Sequence, residues 1–226
     1  MELKPFKYDI LFSANVGSHI WRMNHEKSDF DIYSIFTFPS EDILLGRKTK
    51  NVFRQYGDVD EQLLEIGHFI KLLKECNINA VWTMLSPIVV NDPYGMYKEL
   101  RYIVERNLSQ LVYNSLNGLA RSNIKKFIKK ADRESAKYKK KLNIVARTLN
   151  FGIKLLRNCE YDFEPYSVEK EEDLNDLLVE LERAKNFSCL PEKPNYPEEY
   201  NKWLLKIRFN NILTEELKRY AIHKRS

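Results

Sequence analysis

Apolar and polar residues form short runs over the first part of the chain, a pattern typical of β-strands. Residues 8–14 (YDILFSA) form one apolar run and residues 32–38 (IYSIFTF) form another, and each is short enough for a single strand. The stretch between them predicts a small turn, followed by a short amphipathic turn or helix. We therefore expect the first strand to deliver the chain to a turn, from which a second strand returns.

Helical spacing dominates after Asn91, Asp92 and Pro93, where turn residues close the alternating segments. Two stripes of apolar residues then recur at intervals of three and four positions. The first comprises Leu142, Val145, Ala146, Leu149, Ile153 and Leu156, and the second comprises Leu174, Leu177, Leu178, Leu181 and Ala184. We interpret both stripes as the core of a helical subdomain. The pattern predicts an α+β protein with an α/β part over 1–92 and a helical part over 93–226.

One segment carries residue types at a spacing that specifies chemistry. Gly17 and Ser18 follow the first predicted strand, and Ser28, Asp29 and Asp31 stand at the start of the second. Free backbone N–H groups and a hydroxyl at such a turn can bind a phosphate. The two-residue period of a strand would point both aspartates to one side, where they can share divalent metal ions. The sequence therefore predicts a phosphate-binding turn that faces a metal site.

This pattern, a glycine and a serine followed after ten residues by two aspartates around one residue, resembles the signature of the DNA polymerase β superfamily of nucleotidyltransferases. It is especially similar to one stand-alone group of predicted nucleotidyltransferases, whose opening motif reads roughly GSRAYGLATPESDYD. The similarity continues through FTFPSEDILLG, CNINAVWTMLSPIVV and KKLNIVARTLNFGIKLL, the last with the group's arginine at Arg147. It covers roughly residues 8–157. The resemblance implies a polymerase β-like core, which is a mixed sheet with flanking helices, followed by a helical subdomain.

Three positions depart from the pattern of that group. Arg22 stands where the group has its second glycine, Ile78 where it has a proline, and Trp82 where it has a glutamate. Arg22 would either reach a triphosphate or crowd the pocket that a glycine leaves open. The second case would mean a weakened or altered active site. Together with the open choice of the third carboxylate, it motivates an alternative in which the chain is a non-catalytic module that keeps the fold to bind nucleotide or RNA.

The third carboxylate of the superfamily lies on a later strand. The similarity of the helix that contains Phe69 places this carboxylate at Asp60, with Asp58 and Glu65 as alternatives. On a strand, Asp60 and Glu65 would lie on opposite faces. The two-residue period alone does not choose between them.

The resemblance implies a Mg²⁺-dependent enzyme that uses a nucleoside triphosphate. Two Mg²⁺ ions would be held by three aspartates, and four residues would contact the nucleotide. The metal ligands are Asp29, Asp31 and Asp60, and the nucleotide contacts are Gly17, Ser18, Ser28 and Arg22. A nucleoside monophosphate would pass to a hydroxyl as pyrophosphate leaves. The group's association with RNA repair implies an RNA 3′ end as the acceptor, and a protein hydroxyl or a small molecule is the alternative.

Positive charge is concentrated in one part of this chain of 226 residues, which has a formal net charge of +5. Between residues 121 and 141, ten lysines and arginines stand against two acidic residues. Lys125, Lys126, Lys129 and Lys130 recur at helical spacing, which makes a basic stripe of the type that follows a phosphate backbone. A solvated helix face is the alternative interpretation. RNA binding by this stripe is therefore a hypothesis.

The remaining composition bears on location and redox state. No stretch reaches the ~20 uninterrupted apolar residues of a membrane-spanning helix, and the first residues lack a signal-peptide profile. We therefore expect a cytoplasmic protein without a membrane partner. Cys76, Cys159 and Cys189 have neither paired nor metal-ligand spacing, so we expect reduced, structural thiols.

Overall fold

Five strands form one mixed sheet. The computed structural model describes residues 6–26, 28–47, 51–128 and 135–209, without the side chain of Lys137. Within this part of the chain the strands are β1 (Ile10–Val16), β2 (Phe30–Phe36), β3 (Val52–Tyr56), β4 (Val59–Glu65) and β5 (Val89–Asn91). Their order is β3-β4-β2-β1-β5, and the pairing is parallel between β2 and β4 and antiparallel at the other three contacts.

Helices flank the sheet, and the described part of the chain after β5 consists of further helices and their connections. The first four are α1 (Ser40–Leu44), α2 (Ile66–Lys74), α3 (Ile78–Leu85) and α4 (Met96–Asn107). They are followed by α5 (Leu111–Asn123), a π-helical segment (Ile124–Ile128), α6 (Ala136–Asn158), α7 (Glu171–Asn186) and α8, which covers 198–209. The predicted α+β class and the mixed sheet with flanking helices are confirmed. Among the described helices, none is both long and apolar enough to cross a membrane.

The first two strands each lie two residues closer to their connecting turn than the apolar runs predicted. Antiparallel pairing of β1 with β2 continues as far as Val16 and Asp31. The side-chain amide of Asn15 adds a hydrogen bond of 3.0 Å to the backbone oxygen of Asp31. Backbone pairing therefore extends the strands beyond their apolar residues, so Asp31 lies inside β2 and Asp29 lies before it.

The second half of the fold packs onto the sheet through a shared core. Phe12 of β1 and Ile35 of β2 belong to the same buried cluster as Leu149 of α6 and Leu181 of α7. The two apolar stripes predicted from sequence thus supply core residues from α6 and α7. The boundary proposed near residue 92 stays a prediction.

The start of α3 explains one departure from the related group. Asn77 caps this helix, and its Oδ1 accepts from the backbone N–H groups of Asn79 (3.1 Å) and Ala80 (3.4 Å). Ile78 therefore occupies the first helical position, which favours proline because the fixed φ of proline suits it. A proline in the related group and an isoleucine here both fit this position.

The expectation of three reduced cysteines is wrong for two of them. Cys159 and Cys189 form a disulfide with a Cα–Cα distance of 6.2 Å. Cys159 follows the last residue of α6, and the chain after α7 reaches the same end of α6, where the N–H of Cys189 donates to the oxygen of Leu156 at 2.9 Å. The two helices run parallel, because the segment between them returns to the start of α6, where Lys139 pairs with Glu169. Their ends therefore meet, and the disulfide joins residues whose spacing in sequence carries no signal. Cys76 is free and buried, and this burial raises the pKa of its thiol.

Candidate active site

The parallel pairing of β2 with β4 sets two of the predicted metal ligands side by side. Asp31 of β2 is the register partner of Asp60 of β4. Both line a cavity of about 300 Å³. Its other lining residues are Val16, Gly17, Trp21, Ile32, Tyr33, Phe53, Gln62, Asn79, Trp82 and Arg147. The cavity therefore lies where the polar starts of two strands meet residues from α3 and α6.

Asp31 lies at the centre of the negative charge. Burial raises the pKa of its carboxyl, and the charges of Asp60 and Asp29 raise it further. His19 and Lys140 oppose this rise. A carboxylate that is desolvated next to like charges gains from a nearby cation, because the cation favours its ionised form.

Asp60 fits the role of third carboxylate better than either alternative does. Its Oδ1 is buried and has no hydrogen-bond partner among the described residues. Asp58 is exposed in the turn between β3 and β4, and its backbone oxygen accepts from the N–H of Phe30 at 2.7 Å. Glu65 caps α2 through Gly67 and His68 and forms a buried ion pair with Arg208.

Asp29 occupies a different position from the one that the strand period predicts. It precedes β2, is exposed and does not line the cavity, although its charge acts on Asp31. Among the residues that the structure describes, no group of three His, Cys, Asp or Glu side chains is already arranged to hold a metal ion. The structure thus brings Asp31 and Asp60 together and leaves Asp29 at the margin.

Gly17 lets the turn after β1 approach Asp31 closely. Its φ of +74° lies in the left-handed region, and a Cβ built there would lie 1.9 Å from Oδ2 of Asp31. Ser18 continues the turn, and its backbone oxygen accepts from the N–H groups of Trp21 and Met23, each at 3.2 Å. The predicted phosphate-binding turn therefore borders the carboxylates, with Gly17 in the cavity wall and Ser18 outside it.

Ser28 and Arg22, predicted to contact nucleotide, do not line the cavity. The Oγ of Ser28 accepts from the backbone N–H of His25 at 2.9 Å, which shapes the loop before β2. Arg22 is exposed and has a φ of +52°, a left-handed conformation that glycine adopts most easily. This backbone conformation accounts for the glycine of the related group, and the position of Arg22 gives no support to a crowded cavity.

Arg147 is the cavity residue whose role the sequence did not assign. Its guanidinium carbon lies 5.2 Å from the ring centroid of Trp21. Burial lowers its pKa to about 10, while the charge of Asp31 acts in the opposite direction. No described carboxylate forms an ion pair with it. The match of this arginine to the related group was the signal for it, but only the packing of α6 shows that it lines the cavity.

Aromatic and amide side chains complete the cavity. Gln62 is the register partner of both Tyr33 and Phe53, so the three form a row across the sheet. Phe53 is 65% exposed although it is a large apolar side chain. Trp82 packs edge-on against Trp21 at 5.4 Å, and its Nε1 has no partner within the described part of the chain. No motif in the sequence predicts this row.

The basic stripe is described only in part. Lys125 and Lys126 lie in the π-helical segment and are exposed. Lys129 and Lys130 lie outside the described residues. Nearby, the ammonium of Lys141 lies 4.6 Å from the ring centroid of Phe127. RNA binding by the stripe stays a prediction.

Comparison with known proteins agrees with the geometry. A search of curated proteins found no match to the chain. The model of the RNA repair pathway DNA polymerase beta family matches residues 2–205. This match includes all five strands, the carboxylate cavity and most of the helical part. The chain therefore belongs to the RNA repair pathway DNA polymerase beta family.

Proposed function

We propose that this protein is a Mg²⁺-dependent nucleotidyltransferase that moves a nucleoside monophosphate from a nucleoside triphosphate to a hydroxyl. The observation that carries the proposal is the register pairing of Asp31 with Asp60 beside the Gly17 turn. Family membership supports polymerase β-type chemistry in RNA repair. The cavity supports it because carboxylates and a close-approaching turn are what phosphoryl transfer requires.

The residues present fit a divalent cation. The buried Oδ1 of Asp60 has no partner among the described residues, and the pKa of Asp31 is raised by burial and by its neighbours. Carboxylate oxygens are the ligands that Mg²⁺ prefers. Asp31 and Asp60 would hold it, and Asp29 would join them from the cavity margin. When bound, divalent ions activate the acceptor hydroxyl and neutralise phosphate charge.

The rest of the cavity has roles that follow from its chemistry. The Gly17–Ser18 turn would present its backbone to the phosphates, since no Cβ stands between Gly17 and Asp31. Arg147 would supply positive charge to the triphosphate from a partly desolvated position, where its attraction for phosphate is strong. Trp21 and Trp82 would exclude water from the far wall of the cavity.

We expect an RNA 3′ end to be the acceptor, because the family is one of an RNA repair pathway. A hydroxyl of a protein or of a small molecule would use the same chemistry, because the metal ligands act on any hydroxyl placed near the α-phosphorus. The experiment that tests the proposal therefore includes all three kinds of acceptor.

The test incubates the full chain with labelled nucleoside triphosphates, Mg²⁺ and a panel of RNA, protein and small-molecule acceptors. Label should reach RNA, and Asp31→Asn and Asp60→Asn should each abolish this transfer. Asp58→Asn, at an exposed turn position, is the matched control and should stay active. Metal-independent RNA binding by a chain that labels no acceptor would contradict the proposal and indicate a non-catalytic module.

A further inference from the structure

A second groove lies between α4 and α8 and shares no lining residue with the active-site cavity. Its volume is about 670 Å³. Each helix contributes one face, with α4 residues spaced at intervals of three and four from 95 to 106 and α8 residues spaced in the same way from 199 to 206. The family match and the carboxylate chemistry leave this groove without a role.

Two exposed tyrosines lie against the same arginine: Tyr102 lines the groove, and Tyr196 lies beside it, outside the lining residues. The guanidinium carbon of Arg106 lies 5.3 Å from the ring centroid of Tyr102 and 4.3 Å from that of Tyr196. Tyr102 is 59% exposed and Tyr196 is 42% exposed. The backbone N–H of Tyr196 donates to Oδ1 of Asn107 at 2.8 Å, which ties this loop to the end of α4. Flat aromatic and guanidinium surfaces of this kind stack well on unpaired nucleobases.

The charges of the groove suit a phosphate backbone. Lys206 pairs with Glu99 at 2.9 Å and Arg106 pairs with Glu199 at 3.0 Å, so both acidic side chains that line the groove are neutralised. Lys98 and Lys202 are exposed and form no ion pair with any described carboxylate. Two positive charges are therefore left over, one on each helix.

We propose that the groove between α4 and α8 binds single-stranded RNA. Unpaired bases stack on Tyr102 and Tyr196, while Lys98 and Lys202 contact the phosphates. The interaction needs no metal ion, because every acidic side chain in the groove already has a cationic partner. Together with the proposed function, this places part of an RNA strand on a surface that the transfer chemistry does not use. Base stacking favours a single strand, since the bases of a duplex are already stacked on each other.

The experiment measures binding of a labelled single-stranded RNA of about ten nucleotides, a length within the usual site size for such surfaces, to the full chain in EDTA. Replacing both tyrosines by alanine should weaken binding roughly ten-fold or more, because each lost stack lowers affinity several-fold. Replacing both by phenylalanine should preserve it, since the ring remains. Phe187→Ala is the matched control, because Phe187 is an exposed aromatic outside the groove, 82% exposed.

The contribution of Lys98 and Lys202 is measured separately, through the salt dependence of RNA binding. Replacing Lys98 and Lys202 by glutamine should reduce the slope of log K against log salt by about 1.4, or about 0.7 for each phosphate contact. ATP binding with Mg²⁺, measured in parallel, should be the same in all groove variants, so failure of this inference is distinguishable from failure of the active-site proposal. Unchanged RNA affinity in the alanine variant, equal affinity for a duplex, or loss of RNA binding only when Lys125 and Lys126 are replaced would overturn the inference.

Discussion

Asp31 combines three influences that act on a single carboxyl group. It is partly buried, it is paired in register with Asp60, and it lies against a turn that only glycine can form at that distance. Burial and the charge of Asp60 disfavour the ionised form of the Asp31 carboxyl, and the close turn restricts its position. The residue is therefore costly to the fold in the absence of a cation.

Asp31→Asn should raise the melting temperature of the metal-free protein near neutral pH. The folded-state pKa of Asp31 lies above its ordinary value of 3.8, chiefly through burial. The folded protein therefore holds this proton more tightly than the unfolded chain does, and the contribution of Asp31 to stability falls as pH rises from about 3.8 through the folded value. Differential scanning calorimetry in EDTA should show an advantage of the variant that shrinks as the pH is lowered into this range.

Added Mg²⁺ should reverse the order, because an ion that binds only the folded state stabilises it by mass action. The wild type should gain stability with Mg²⁺ and Asp31→Asn should gain little. Asp58→Asn should follow the wild type in both series. A metal response that is equal in all three proteins would contradict the assignment of Asp31 as a ligand.

Gly17→Ala should abolish transfer, and Gly57→Ala should not. Both glycines have positive φ, +74° and +59°, so each alanine pays a similar backbone penalty of roughly 1–2 kcal/mol. Only the Cβ at Gly17 meets another group, Oδ2 of Asp31, whereas nothing lies within 4 Å of the Cβ position at Gly57. Turnover and thermal unfolding of the two variants separate the loss of space from the backbone strain, and equal activity losses would contradict a specific role for Gly17.

At this scale the cavity contains some of the residues predicted from sequence and not others. Gly17 and Asp31 follow from a motif whose spacing reflects one turn and the strands on either side of it, whereas Asp60 followed from the resemblance of the helix that contains Phe69 to the related group. Arg147 lies in the same cavity because α6 packs against Trp21 in the turn after β1, a tertiary contact that no local spacing records. Asp29 lies at the margin because β2 begins one residue after it.

At the scale of elements, α2 and α8 are joined to the sheet through Glu65. Its carboxylate caps α2 and pairs with Arg208, which also donates to the backbone oxygen of Phe38 at 2.9 Å. Both side chains of the pair are largely buried, 8% exposed for Glu65 and 15% for Arg208. This carboxylate therefore holds elements together, although its place at the end of β4 made it a candidate ligand.

Glu65→Gln should destabilise the protein and leave the active site competent. Asp60→Asn should instead abolish transfer without destabilising the protein. Breaking a buried ion pair from one side costs about 3–5 kcal/mol, because the remaining charge stays buried. Chemical denaturation should show this loss for Glu65→Gln, and turnover measured well below its unfolding midpoint should remain near that of the wild type. Full activity of Asp60→Asn would mean that the third carboxylate is another residue.

The elements themselves were largely predictable, since strands and helices follow from periodicity. The order of the strands was not, because the parallel contact between β2 and β4 depends on how the chain crosses the sheet. The disulfide escaped prediction for the same reason. It depends on the parallel packing of α6 and α7, which brings the ends of the two helices together and with them cysteines 30 residues apart.

At the scale of the whole molecule, the chain offers two candidate surfaces for RNA besides the carboxylate cavity. The basic stripe continues from α5 through Lys125 and Lys126. The groove of α4 and α8 carries aromatic planes as well as charge. Charge alone guides a phosphate backbone, and stacking adds contacts to unpaired bases.

Replacing Lys125 and Lys126 by glutamate should weaken RNA binding and reduce its salt slope if the stripe contacts phosphates. Each lost contact lowers the slope by about 0.9 for a duplex or 0.7 for a single strand. ATP binding at the Gly17 turn should be unchanged. A solvated helix face would instead leave both RNA affinity and salt slope as in the wild type, and titration at several salt concentrations decides between the two.

The parallel contact of β2 with β4 also makes the proposed active site a reporter of folding. Asp31 and Asp60 come from segments separated by a turn, a short helix and an edge strand, and they meet only when these two strands align in register. A slip by one residue would turn one of the two carboxylates to the opposite side of the sheet. A chain with its helices formed but its strands unpaired would lack the paired carboxylates and would therefore be inactive. The rate at which activity returns during refolding would thus report when this long-range contact forms.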